Sequence, residues 1–253
     1  MQSSDRNRLR ETAELCLKSA RIMMASGAET SRVEDIVVRI SRTLKVPIET
    51  HATPTGIIIS AGGERPVTRI CRVKDRTIDL DKVCKVNSMS RRLAAGELTI
   101  AQANRELDEM VSGKPLYSQL VIYLSQGAYC AGFSMLLGGG IPELVPAFLM
   151  GLVSKYAENK CAGQPPFLIV FINAFCVTLS AMIYSSLYPE AKIEAVIIAG
   201  LIPLLPGLSL TNAVVDLMGG ELLAGMARTT DSLLTAAALA AGAAAGLGLG
   251  NML

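Results

Sequence analysis

"LIPLLPGLSLTNAVVD", residues 201–216, sets two prolines and a glycine inside a long apolar run and closes that run with a carboxylate. In water this pattern is a broken core helix. In a bilayer its meaning changes, because a backbone carbonyl without a partner costs on the order of several kcal/mol unless it is buried in protein or lines a hydrated cavity. Pro203 and Pro206 each remove an amide donor and crowd the carbonyl four residues back. Gly207 is expected to permit a tight bend beside them. Discontinuous helices of this kind mark solute sites in transporters, and a plain packing kink is the alternative. Ser209, Asn212 and Asp216 follow at i, i+3 and i+7, on one helical face.

Working outward, the chain is 51% hydrophobic over 253 residues, more apolar than a soluble domain of this size. Charge is unevenly spread. Residues 1–116 hold 20 of the 24 Lys/Arg and 15 of the 22 Asp/Glu, a net of +5, against −3 for residues 117–253. This break predicts a domain boundary near Gly113-Lys114-Pro115, giving residues 1–114 and 115–253. The overall balance of +2 offers no argument for nucleic acid, and none is expected as a partner. Six cysteines without C-x-x-C spacing and one histidine, His51, argue against zinc and haem sites. No metal or cofactor is expected. The N-terminus, "MQSSDRNRLRETAEL", lacks the apolar segment of a signal peptide.

The charged part reads as a small α+β domain, ααβββαα. Leu9, Ala13, Leu17, Ala20 and Met24 form a helical stripe stopped by Gly27. Ser31-x-x-Glu34 predicts a capping box opening a second helix to about Leu44. Strands are predicted near Ile48–Thr50, Thr55–Ser60 and Val67–Val73, with a turn at Gly62-Gly63, followed by helices near 81–94 and 99–112. His51, with Thr50, Thr53 and Thr55, is read as strand-end and turn chemistry rather than as a catalytic group.

Five apolar segments, 117–137, 142–158, 166–187, 193–217 and 230–250, approach the ~20 residues a bilayer crossing needs. The sparse Lys and Arg of the intervening loops fit an N-terminus inside and a C-terminus outside. The expected architecture is therefore an α+β cytoplasmic domain followed by an all-α bundle of five transmembrane helices. Asn173, Ser180 and Tyr184 make a polar stripe on the third segment, and Gln126 lies on the first. With Pro203, Pro206, Gly207, Ser209, Asn212 and Asp216 they are the candidate lining of a path for a small solute. An ionised Asp at the bilayer centre is costly, so Asp216 is read either as a proton relay facing the interior or as an interfacial cap. Glu143, behind Pro142 and three glycines, is read as a helix N-terminal residue or as an outward-facing proton acceptor. Glu221 and Asp231 are expected in an inner loop with Arg228, as solvated charges or a gate. Gly242, Gly246 and Gly250 repeat every four residues, a ridge for close helix contact in this chain or a partner.

Three stretches, "SGAETSRVEDIVVRI" (26–40), "ATPTGIIIS" with "TRI" (52–60, 68–70) and "LPGLSLTNAVVDLMGGELLAGMAR" (205–228), resemble the N-terminal component of the threonine/serine exporter family. The resemblance implies export of small polar metabolites from the bacterial inner membrane, threonine and serine or, as in split relatives, dicarboxylates such as succinate. It implies a second, shorter integral-membrane subunit as partner, with homo-oligomerisation alongside, and it supports Pro206, Gly207, Asn212 and Asp216 as functional positions. Proton coupling is expected because no P-loop is present. Two other classes compete: a membrane-held module that senses a ligand and signals through the bundle, and an intramembrane enzyme. The last is disfavoured, since no histidine lies in an apolar segment and no hydrolase motif occurs.

Overall fold

The computed structural model describes residues 2–62, 66–74, 76–113 and 117–252. Two compact units result, one made of Met1–Lys114 with Leu208–Thr230, the other of Pro115–Gly207 with Asp231–Leu253. The residues of the expected boundary, Lys114 and Pro115, and Gly63 of the expected turn lie outside the described residues.

The first unit begins with helices α1 (Gln2–Ala25) and α2 (Thr30–Leu44). An antiparallel sheet follows, β1 (Ile48–Thr53), β2 (Gly56–Ala61) and β3 (Val67–Arg72), in that spatial order. Helices α3 (Leu80–Ala94) and α4 (Ile100–Ser112) complete the N-terminal part. The central strand alternates as a half-buried strand should: Ile57, Ile59 and Ala61 are buried, and Ile58 faces outward. α2 buries Val33, Ile36, Val37 and Ile40 at helical spacing. Leu15, Cys16, Met23, Val86, Met89 and Leu107 join them in one core. Burial in that core pushes the Cys16 thiol up to about 12, which leaves it an inert packing group. β1 runs three residues beyond its expected end, because Thr53 pairs with Gly56 across a two-residue turn. His51 is therefore an exposed mid-strand residue opposite Ile58.

The predicted capping box at Ser31 does not form. α2 starts one residue earlier, behind Glu29, whose side chain caps nothing. Glu34 instead reaches across to accept the Ala52 amide of β1, at 3.1 Å. By contrast Thr99 and Gln102 do form a reciprocal box at the start of α4.

The second unit is helical: α5 (Gln119–Leu136), α6 (Ile141–Lys160), α7 (Pro166–Leu187) and α8 (Ile193–Leu201). A 3-10 turn, Ile202–Leu204, ends α8. α9 (Gly207–Met218) and α10 (Leu222–Gly250) complete the chain. α9 belongs to the first unit from Leu208 onward, and α10 starts in the first unit and finishes in the second.

The expected architecture is corrected on two counts. Residues 208–230, assigned from sequence to a membrane bundle, pack with the α+β unit, so the structure is not a separate cytoplasmic domain followed by a bundle. Nor are there five crossings. Among the described residues only α7 and α10 are long and apolar enough to span a membrane, with a third span if α8 and α9 count as one bent pair. The reasons are local. α5 dilutes its apolar residues with Gln119, Ser125, Gln126 and Ser134, α6 carries Glu143, Lys155, Glu158 and Lys160, and α8 ends after nine residues.

The break after α8 arises as expected from proline. The residue before a proline is driven out of the helical region. Leu205, before Pro206, is extended at φ −67° and ψ 131°. Gly207 contributes less than expected: a Cβ there would meet open space and its φ is not positive, so nothing in its geometry demands glycine.

The glycine ridge packs within the chain. A Cβ on Gly242 would lie 2.3 Å from the Phe171 carbonyl oxygen, one on Gly246 2.9 Å from Thr178 Cβ, and one on Gly250 2.5 Å from Met182 Cβ. α10 and α7 therefore touch nearly backbone to backbone.

Candidate functional site

Two polar clusters stand out, one in each unit. The first gathers around the turn between α1 and α2. Gly27 gives that turn its left-handed bend, at φ +87°. The turn is pinned from outside: Thr77 N donates to Ala25 O at 2.8 Å and Asp79 N to Ser26 O at 3.1 Å. The α9–α10 hairpin grips its other side. Asn212 Nδ2 donates to Gly27 O at 2.9 Å. One turn on, Asp216 accepts the Thr30 amide at Oδ1, 3.0 Å, and the Thr30 hydroxyl at Oδ2, 3.1 Å.

Asp216 thus caps α2 from 186 residues away. A carboxylate at a helix N-terminus meets free amides and the positive end of the dipole. Arg228 supplies the counter-charge, its Nε 2.9 Å from Asp216 Oδ2. Its Nη2 donates to Ala28 O at 2.7 Å and lies 3.4 Å from Met24 Sδ. Both side chains are out of solvent, Asp216 1% and Arg228 7% exposed. A buried pair of this kind survives only because nearly every polar atom around it is matched.

Beside it, burial raises the Glu34 carboxyl above its ordinary range, against the lowering effect of the Ala52 amide, and the Glu221 charge raises it further. Glu221 is half-buried, and Arg228 is not the solvated loop charge expected from sequence.

The second cluster is neutral. Gln126 Nε2 on α5 donates to Ser154 Oγ on α6 at 3.1 Å. Asn173 Nδ2 on α7 donates to Ser154 O at 2.9 Å, while its buried Oδ1 has no partner. Two cavities meet at this cluster. One of about 450 Å³ is lined by Tyr117, Ser125, Gln126, Tyr129 and Pro203 among others. Another of about 300 Å³ is lined by Gln126, Glu158, Pro166 and Pro203 among others. Gln126 and Pro203 are common to both walls.

The expected site residues thus fall into two groups. Gln126, Asn173 and Pro203 come together in the second unit. Asn212 and Asp216 belong to the first. Ser180 and Tyr184 continue along α7 and line neither cavity, Tyr184 stacking on Tyr188 at 4.9 Å. Pro206, Gly207 and Ser209 occupy the break and the first turn of α9, with Ser209 half-buried. Glu143 closes a bracket at one end of the second unit. Its Oε2 accepts Gly140 N at 2.6 Å and its Oε1 accepts Lys192 N at 2.8 Å, while Lys192 Nζ donates to Gly138 O.

Sequence reasoning missed Thr30, Ser154 and the partnership of Arg228. A signal for the last existed, since Arg228 is the one cation in the sequence after Lys192. A lone cation in so apolar a stretch needs a buried acid.

The family described as "Putative threonine/serine exporter" matches residues 14–250. The chain is 25% identical over 240 residues to the "Probable threonine/serine exporter" of Mycobacterium tuberculosis, covering 92% of this chain and 45% of that protein. It is 26% identical over 264 residues to the "Threonine/serine exporter" of Corynebacterium glutamicum, covering 99% of this chain and 53% of that one. Against the "Probable succinate transporter subunit YjjP" of Klebsiella aerogenes it is 27% identical over 242 residues, 92% of both. The chain therefore spans about half the length of the first two relatives. No solved structure matches. The two stretches that carried the family resemblance, 26–40 and 205–228, are those joined through Gly27, Ala28, Thr30, Asn212, Asp216 and Arg228.

Proposed function

The chain belongs to the threonine/serine exporter family, and on that premise we propose that this membrane protein is a subunit of a secondary exporter of small polar metabolites. Threonine and serine, or dicarboxylates such as succinate, are the candidate solutes, following the names of its relatives. The setting is a bacterial cytoplasmic membrane, with the basic N-terminal unit at the cytoplasmic face, as the positive-inside rule favours. Export is driven by the proton gradient. A second, shorter membrane subunit supplies what the longer relatives carry in their remaining length.

One observation carries this reading. The apolar α8 is broken at Pro203–Pro206, and Pro203 stands with Gln126 on the shared wall of two cavities of about 450 and 300 Å³. A broken helix beside a cavity frees main-chain polar groups for a solute. Gln126, Ser125 and the unpartnered Asn173 Oδ1 add neutral hydrogen-bonding groups nearby. Such groups suit a small polar molecule better than a lipid tail.

The test is efflux. Cells loaded with threonine- or serine-containing dipeptide, or grown to accumulate succinate, are compared with and without this gene and its partner. Retention of one solute class in the deletion strain, reversed by both genes together, is the expected result. Unchanged release of every solute contradicts export.

A further inference from the structure

We infer that Asp216 and Arg228 are positioning residues: they fasten the α9–α10 hairpin to the α+β unit and thereby fix where the chain resumes after the Pro203–Pro206 break. The kinetic part of the test rests on the proposed export function; the structural part does not.

The geometry assigns both side chains fully to the first unit. Asp216 spends its two oxygens on Thr30 and Arg228, and Arg228 spends its guanidinium on Asp216 and Ala28 O. Asn212 adds a third grip through Gly27 O. All three grips hold one turn, and they hold it largely through backbone atoms. That turn cannot yield easily, because Ala25 O and Ser26 O are tied to Thr77 and Asp79. Neither Asp216 nor Arg228 lines the cavities at Gln126. Two buried charges matched this closely hold a position; a group that carries solute or protons needs an opening to them.

The hairpin is also a connection. α9 begins at Gly207, directly after the break, so what holds α9 holds one end of the break. From Arg228, α10 continues without interruption to Gly250. Its last turns pack through Gly242, Gly246 and Gly250 on α7, the helix that carries Asn173. An unbroken helix is stiff over this length. The α+β unit thus has a rigid lever on the helix beside the solute cavities. That gives the N-terminal unit a task in transport: it sets the hairpin.

The experiment uses the chain reconstituted with its partner in proteoliposomes. Arg228→Met is expected to lower the maximal efflux rate by roughly tenfold or more with the apparent KM within about twofold of wild type. Asp216→Asn is expected to slow efflux while keeping the shape of the wild-type pH profile. The double variant Asp216→Asn/Arg228→Met is expected to recover most of the rate lost in Arg228→Met. A raised KM at an intact maximal rate makes either residue a solute contact and overturns the inference. So does a flattened pH profile in Asp216→Asn. Hydrogen exchange on the wild-type protein decides the matter even where variants do not fold or no solute moves. Amides of residues 208–218 should open together with those of α2, and opening together with α8 instead overturns the inference.

Discussion

The two polar clusters are built on opposite principles. Around Asp216 and Arg228 the groups are charged, almost dry and matched, and they hold backbone. Around Gln126, Ser154 and Asn173 they are neutral, one oxygen is unmatched, and cavities adjoin them. A matched charged cluster is costly to open and suits a fixed joint. A neutral, partly unmatched one loses little when its partners change, which suits a surface that solute molecules meet and leave. Charge in this chain marks what stays still.

The sharpest way to break the contrast is Arg228→Met. It leaves the Asp216 carboxylate buried without its counter-ion, a loss expected to reach about 3–5 kcal/mol. Thermal melting in detergent should fall steeply for the single variant and recover in large part when Asp216→Asn is added. Equal losses in the single and double variants would mean that the ion pair is not a unit.

In the second unit the corresponding weak point is packing rather than charge. Gly242→Ala puts a methyl 2.3 Å from the Phe171 carbonyl oxygen, which is main chain and cannot swing away. The expected cost is about 1–3 kcal/mol, read as lost monodispersity and a lower melting temperature. Gly248→Ala on the same helix, where a Cβ meets nothing, is the control and should behave as wild type.

Glu143→Gln tests the bracket at Gly140 and Lys192. An amide has one acceptor oxygen where the carboxylate has two, so one backbone N–H is left unmatched, at about 1–2 kcal/mol. Efflux with an unaltered pH profile would assign Glu143 to structure, and a shifted profile would assign it to proton transfer.

The smallest effect belongs to Glu34. Its carboxyl is raised in the folded protein, chiefly by burial. The native state therefore binds this proton more tightly than the unfolded chain, and the resulting stability is present below the ordinary Glu value and fades as pH rises through the raised one. Glu34→Gln should flatten that part of the stability–pH curve, as measured by melting between pH 4 and 7. An unchanged slope would remove Glu34 as its source.

How much of this was legible in the sequence differs between the units. The ααβββαα order, the α2 face at Val33, Ile36, Val37 and Ile40, and the glycine ridge could all be read, because each is a local period. The break at Pro206 could be read because proline acts on its immediate neighbour. The membrane count could not. Apolar runs in α5 and α6 look like crossings until Gln126, Glu143, Lys155 and Glu158 are seen within single helices. The capping box failed for a related reason: the acceptor for the start of α2 comes from Asp216, and no window around Ser31 contains it. The junction was visible only as two stretches that shared a family resemblance, with nothing to say that they touched.

The contrast between the two clusters is tested most directly by the kinetics of Gln126→Leu beside those of Arg228→Met, in the same proteoliposomes and with the same solute. The account predicts a several-fold rise in apparent KM with the maximal rate kept for Gln126→Leu, and a lowered maximal rate with KM kept for Arg228→Met. The same pattern in both variants, or the reverse assignment, would contradict it.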